Sequence, residues 1–360
     1  VKNMGLKIGI VKDERYLEHK TGHIHPENPN RLRSVYRMLK NDFENLFIHI
    51  HPEPAPLEYL ELVHTPVYIE KVLKTAEHNF TSLAPDTPAS AMSYLAAWLA
   101  VGGCLTGLDA LIAGQCDICF ALVRPPGHHA LADRAGGFCI FNNLGITAKY
   151  AIEHYGFQRI LIIDWDIHHG NGIQELFYNK KEVFYFSSHD ILLYPYTGDW
   201  QDTGKDDGEG YTVNIPVPRE LSDAEVLYLY KKLLTPIIKN YSPELILVAA
   251  GFDAHHDDPI GRSHWSEKAY YGLTRLILDL KANIINTKFP CTPVLFSLEG
   301  GYNPHALAGC IKEVFKALVG SGLRLEPTTE NQKILYGEKT SRINRLIEKA
   351  RRIHFCYNIL

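Results

Sequence analysis

The sequence predicts an α/β fold built on a parallel sheet with helices on both faces. Six short runs of apolar and β-branched residues are continuous instead of alternating, as strands buried on both faces require. Longer segments of helical pattern separate these runs, which is the rhythm of a β-α-β chain. A third observation points to a site. His, Asp or Tyr residues follow directly on four of the runs, and ligands of open α/β sheets bind beyond the carboxyl ends of the strands.

The elements follow in order. LKIGIV (residues 6–11) opens the sheet. Residues 91–108 carry no charge and touch the lower length of a membrane span. They are rich in Ala and Gly and are followed by Asp109, so a buried helix is expected, starting near Asp86 or Thr87 with Pro88. DICFALV (117–123) runs into Arg124-Pro125-Pro126-Gly127-His128-His129, and residues 143–155 read as a helix. RILIIDW (159–165) leads through Asp164 and Asp166 to His168, His169 and Asn171. After EVFYFSS (182–188), residues 187–210 are rich in Gly, Asp, Tyr and Pro and read as a long functional loop. Helical patterns at 222–240 and 266–286 flank LILVAAG (245–251), which ends at Phe252-Asp253. PVLFSLEG (293–300) ends at Gly301-Tyr302. A basic helical pattern, SRINRLIEKARRIHF, lies near the end of the chain. The expected organisation is one domain over 1–322 and a helical extension over 323–360, packed on it or extending from it as a solvated surface helix.

Composition narrows the function classes. With 46% hydrophobic residues in 360, the chain can bury a substantial core. Its 37 basic and 41 acidic residues leave a net charge of −4, which disfavours a broad grip on nucleic acid. Seven scattered cysteines do not form a secreted disulfide framework. Cys116 and Cys119 make a CxxC, but no second CxxC completes a structural zinc site. No apolar stretch resembling a signal peptide stands near residue 1, so a soluble protein of the reducing cytoplasm is expected, away from membranes.

The polar clusters define a chemistry. Asp166 and His168 are two apart, so on an extended backbone both reach the same side and can share one ion. Carboxylate and imidazole are ordinary zinc ligands, a catalytic zinc takes three protein ligands, and Asp253 is the natural third. His128 and His129 offer acid–base catalysis near neutral pH. Asp164 and Asn171 are candidates to orient the two rings. A carboxylate raises imidazole basicity more than an amide does, so the pair would differ in proton affinity. Tyr302, after two glycines, can donate a hydrogen bond to a developing oxyanion without becoming charged. Taken singly, each of these motifs is more often a loop cap or a packed side chain. Their joint fall at strand ends reverses that reading.

At this point RPPGHHA, GGFCIFNN, DWDIHHGNG, AGFDAHHDDP and LEGGYN, with HPENPNRL from His25, resemble the histone deacetylase superfamily. The likeness runs from about residue 25 to about 305. DWDIHHGNG and LEGGYN look like its class II branch and bacterial amidohydrolase relatives; class I usually has Asp where Asn171 stands. The resemblance implies a single arginase/deacetylase-like domain around an eight-stranded parallel sheet. It implies a zinc-dependent amidohydrolase acting on acetylated lysine side chains or similar small acylated amines. Asp166, His168 and Asp253 match the zinc ligands. His129 matches the general base and later acid, and His128 its electrostatic partner. Asp164 matches the residue orienting His128, Asn171 the one orienting His129, and Tyr302 the carbonyl-polarising tyrosine. Gly137, Phe138 and Tyr194 match the walls of the lysine channel, and Asp86 sits where some relatives bind the substrate backbone. A structural potassium ion is also implied, held by backbone around Asp164, Asp166, His168 and Ser187.

Some residues depart from the pattern. Tyr196 stands where relatives commonly have glycine, and bulk there would narrow the channel rim. His255, His256, Asp257 and Asp258 form an unusually polar segment, expected as a solvated edge. Ile260 stands at the channel mouth where specialised polyamine relatives can carry Glu, which favours acyl-lysine over the rival reading, an acetylpolyamine amidohydrolase. A two-manganese arginase-like site would want Asp at positions 170 and 255, where the chain has Gly170 and His255. A catalytically silent acyl-lysine binding module would not need the complete residue set. Acyl length and self-association are left open by the sequence.

Overall fold

The computed structural model describes residues 6–22, 24–284, 291–320 and 340–360. In chain order its main elements are β1 (Ile8–Val11), α1 (Asn30–Asp42), β2 (Ile48–Ile50), α2 (Leu57–Leu60), α3 (Pro66–Leu73), β3 (Phe80–Ala84), β4 (Thr87–Ser90), α4 (Ser93–Ile112), β5 (Ile118–Ala121) and α5 (Asn143–Tyr155). They continue with β6 (Ile160–Asp164), α6 (Asn171–Phe177), β7 (Val183–His189), β8 (Thr212–Pro216), α7 (Asp223–Tyr241), β9 (Leu245–Ala250), α8 (Glu267–Lys281), β10 (Val294–Leu298), α9 (Pro304–Val319) and α10 (Ser341–His354).

Eight strands form one parallel sheet in the order β2-β1-β5-β10-β9-β6-β7-β8. The six apolar runs are β1, β5, β6, β7, β9 and β10. The two strands without such a signal, β2 and β8, are the sheet edges. Ile48 and His49 of β2 are exposed, while β8 carries Thr212 and Asn214 and ends at Pro216, a residue that edge strands tolerate. Every residue of β5, β6, β9 and β10 is buried, so both faces of the sheet centre are covered. These four strands are adjacent in the sheet, and they are the four that run into His, Asp or Tyr. The chain makes β5 and β6 first and inserts β9 and β10 between them, which brings residues about 170 positions apart to one sheet edge.

Two expectations change. The uncharged stretch is a helix, but it starts at Ser93; Asp86 and Thr87 instead turn a two-stranded antiparallel hairpin of β3 and β4. α4 is long and apolar enough to cross a membrane by composition, yet 72% of its apolar window is buried inside the protein. It packs against β1, β5, β10 and α5. The helix expected over 266–286 spans Glu267–Lys281, and its last expected residues lie outside those described.

Residues 321–339, which include the start of the extension expected from 323, also lie outside the described residues. Beyond them α10 packs on α7 and β8. Its buried residues Ile343, Ile347, Ala350 and His354 recur at helical spacing, so one face is docked and the other is solvated. Glu225 makes the joint. Its carboxylate closes the capping box of α7 with Ser222 and accepts hydrogen bonds from the Thr340 hydroxyl (2.7 Å) and the Arg342 guanidinium.

Candidate active site

Two of the four central strand ends supply the ligand group. Asp166 and His168 follow β6, and Asp253 follows β9. One ligand atom from each lies within 4.8 Å of the others, and all three residues are buried. His168 Nδ1 faces Asp166 Oδ1 at 3.0 Å and Asp253 Oδ2 at 2.9 Å. Backbone amides fix the carboxylates: Ile167 N–H donates to Asp253 Oδ1 (3.1 Å), and Gly300 N–H, just past β10, donates to Asp166 Oδ2 (2.9 Å). No side chain fits at Gly300, because a Cβ would stand 2.1 Å from Asp253 Oδ2 and 2.5 Å from Asp166 Oδ2.

The electrostatics of this group call for a cation. Burial and the charge of Asp166 push Asp253 up to about 7. Asp166 stays below the usual carboxylate range, since His128 and His168 outweigh its burial. His168 is held above the ordinary imidazole value: burial opposes its charge, but Asp253 and Asp166 prevail. Two buried carboxylates and an imidazole converging on one point form an ordinary zinc donor set, so the residues fit the metal that the sequence implies.

The His pair lies on the loop after β5. His128 Nδ1 is 3.2 Å from Asp164 Oδ2, which also accepts from the Tyr185 hydroxyl (2.9 Å). His129 Nδ1 is 2.9 Å from Asn171 Oδ1, at the start of α6. The two rings then diverge. For His128, burial disfavours the charge, but Asp164 and Asp166 push it up to about 10. For His129, burial and the neighbouring His128 and His168 hold the ring well below 6.5. The two imidazoles therefore differ in proton affinity, His128 favouring its charged form and His129 its neutral one.

Tyr302 is buried after the bend at Gly301 (φ 116°). Its ring meets Phe138 edge-on at 5.4 Å, and the Arg31 guanidinium lies 5.0 Å from its centroid. Burial and the charges of Asp253 and Asp166 hold the phenol well above its ordinary value, so it remains a donor. The wall residues are also gathered here. Tyr194 meets the His129 ring edge-on at 4.9 Å. Gly137 (φ 56°) lies so close that a Cβ would stand 2.2 Å from His129 Cδ2 and 2.7 Å from Tyr194 Cε1. Phe138 takes the left-handed region too, at φ 67°. Ile260 is half-buried, and its tie to the site runs through its backbone: its N–H donates to Asp258, which also accepts the Tyr302 N–H (2.6 Å).

A family model described as a histone deacetylase domain matches residues 25–318. The chain belongs to the histone deacetylase family. A probable deacetylase of Archaeoglobus fulgidus is 34% identical over 358 residues, covering 97% of this chain and 98% of that protein. The chloroplastic histone deacetylase 10 of Oryza sativa is 33% identical over 313 residues, covering 84% of this chain and 69% of the relative. Among solved structures, the crystal structure of the HDA15 HD domain superposes with a TM-score of 0.86 at 30% identity, covering 98% of this chain and 96% of that one. The arginase/deacetylase-like fold follows, and with it a hydrolase of the deacetylase family.

Within this family member, several contacts that support the site were not legible in the sequence. Asp86 Oδ2 accepts the Gly137 N–H (3.0 Å), and Thr87 Oγ1 the Phe138 N–H (3.2 Å), so the hairpin turn braces the Gly137–Phe138 segment. Arg31 donates to the carbonyls of Gly301 (2.6 Å) and Glu299 and to Glu27 (3.0 Å), and Glu27 is gripped by Arg124 (2.6 and 2.8 Å). The polar segment 255–258 is not a uniformly solvated edge. His256 and Asp257 are exposed, whereas His255 and Asp258 are buried, because Asp258 collects the amides of Ile260, Gly261 and Tyr302. Tyr196 is 71% exposed at φ 63°, so its side chain stands mostly in solvent. A signal for Glu299 was present: a lone carboxylate closing an otherwise apolar run is rare without a buried partner.

Proposed function

We propose that this chain is a zinc-dependent deacylase that hydrolyses the amide of N-acetyl-lysine or a related acylated amine. The observation that carries the reading is the convergence of Asp166, His168 and Asp253 beside two imidazoles of opposite protonation preference. Asp166, His168 and Asp253 would hold the ion, which when bound supplies Lewis acidity and a lowered pKa for a water. His129, neutral and oriented by Asn171, takes the proton of the attacking water and returns it to the leaving amine. His128, kept positive by Asp164, offsets the negative charge that develops beside it. Tyr302 stays protonated and donates to the carbonyl oxygen as that oxygen gains charge. Gly137 leaves room between His129 and Tyr194, and Phe138 and Tyr194 present aromatic faces suited to an alkyl stem. A structural potassium ion, which the resemblance implies, would enter no step. A cytoplasmic protein acting on acetylated proteins or small acylated amines is the setting we infer.

Paired fluorogenic acetyl-lysine and acetylated polyamine substrates test this with zinc-loaded wild type. Preferred turnover of acetyl-lysine supports the reading. Preference for the polyamine moves it to an acetylpolyamine amidohydrolase. Turnover of neither, with zinc bound, overturns the deacetylase reading and directs attention to longer acyl groups or a binding role.

A further inference from the structure

Among the described residues no hydrogen bond joins the Glu299 side chain to the three candidate metal ligands, yet it holds the loop that carries the His pair. It stands one residue past β10 and is fully buried. Its Oε2 accepts the backbone N–H of Gly127 (2.6 Å) and of His128 (3.1 Å), on the loop that carries both histidines. Its Oε1 has no hydrogen-bond partner among the described residues. An unpaired carboxylate oxygen in the interior is costly, so something must be gained by keeping it. The main chain around Glu299 shows what that is. The Glu299 N–H donates to Ala250 O on β9, its carbonyl accepts from Arg31, and the next amide, Gly300, holds Asp166. Two residues further on, Tyr302 is anchored through its own N–H to Asp258. One four-residue strap therefore joins the His pair, a ligand carboxylate and the tyrosine.

We propose that Glu299 is a positioning residue of the reaction, clamping the backbone of the His128–His129 pair in register with the ligand group and Tyr302. It acts through the pair and not on the substrate. Without its oxygen, two buried N–H groups lose their acceptor and the loop is free to shift. A displacement of about 1 Å in a catalytic group can cost about 100-fold in rate. The inference rests on the hydrolase reading for its kinetic readout, and it has a second readout that does not.

The test compares Glu299→Gln, Glu299→Ala and Glu299→Asp in the full chain. Gln keeps an acceptor oxygen of the same reach, Ala has none, and Asp keeps the charge with one methylene less. Expected are kcat within about 3-fold of wild type for Gln, and losses of about 100-fold for Ala and at least 10-fold for Asp. KM should stay within 2-fold and zinc content should equal wild type. Nitrogen-15 NMR of labelled histidine side chains should show the His128 and His129 ring signals moved in Ala and Asp but held in Gln. That measurement needs no turnover, so it stands even where the wild type proves inactive and the hydrolase reading falls. If Ala does not fold, Asp decides the question. Wild-type kcat and unmoved ring signals in a folded Asp or Ala variant overturn the proposal, as does a Gln variant damaged as badly as Ala.

Discussion

His129 Nδ1 lies 2.9 Å from the side-chain oxygen of Asn171, while its neighbour His128 faces the carboxylate of Asp164. An amide orients an imidazole without stabilising its charge, and a carboxylate does both. Burial, with His128 and His168 beside it, holds His129 well below 6.5, so that ring is neutral across the physiological range. Activity should fall only as pH drops through that depressed value. Asn171→Asp adds a negative charge, raises the ring's proton affinity and should move the acid limb of kcat/KM to higher pH. An unmoved limb in the pH–rate profile of that variant would count against His129 as the base.

Metal uptake should release protons. His168 is held above 6.5 and Asp253 is pushed up to about 7, so near neutral pH the free site carries the imidazole proton and a share of a carboxyl proton. Both must leave for these atoms to act as ligands. Calorimetric zinc titrations in buffers of different ionisation enthalpy should report at least about one proton released at pH 7. No buffer dependence would show that the ion binds elsewhere.

Burial and the charges of Asp253 and Asp166 keep the Tyr302 phenol protonated. Tyr302→Phe should lower kcat by about 100- to 1,000-fold, the usual loss of one oxyanion donor, with KM little changed. Zinc content should match wild type. A variant with unchanged kcat would remove the tyrosine from the reaction.

Acid should loosen the C-terminal helix. Burial would raise the Glu225 carboxyl, but hydrogen bonds from Arg342, Thr340 and Ser222 outweigh it and hold it down at about 2. An unfolded glutamate titrates near about 4.3, so this contribution to stability is complete above that pH and is lost as pH falls through about 2. Urea midpoints followed from pH 5 to pH 2 should fall more steeply in wild type than in Glu225→Gln. Equal slopes would mean that the joint between α7 and α10 contributes nothing.

Much of the site was legible residue by residue because strand ends announce themselves. The runs before His128, Asp166, Asp253 and Tyr302 are largely apolar, so the polar residues that close or follow them stand out. The edges were not legible. β2 has two exposed residues in three, and β8 mixes polar residues into its buried pattern, so neither gives the continuous run of a strand covered on both faces. Asp86 and Thr87 were misread as a helix start because the same side chains that cap helices also stabilise turns.

By itself the sequence determined the local chemistry: which elements form, which side chains stand at their ends, and that Asp166 and His168 share one side of the chain. Only the tertiary structure decided which of those ends meet. β9 and β10 insert between β5 and β6, so Asp253 and the Glu299–Tyr302 strap arrive beside residues made far earlier in the chain. The difference in proton preference that Asp164 and Asn171 led the sequence to expect also depends on tertiary placement. His128 and His129 are adjacent and chemically identical, and what separates them is burial against Asp164 on one side and Asn171 on the other. Through-space fields and backbone clamps such as that of Glu299 depend on distances between segments, which strand order sets and local pattern does not contain.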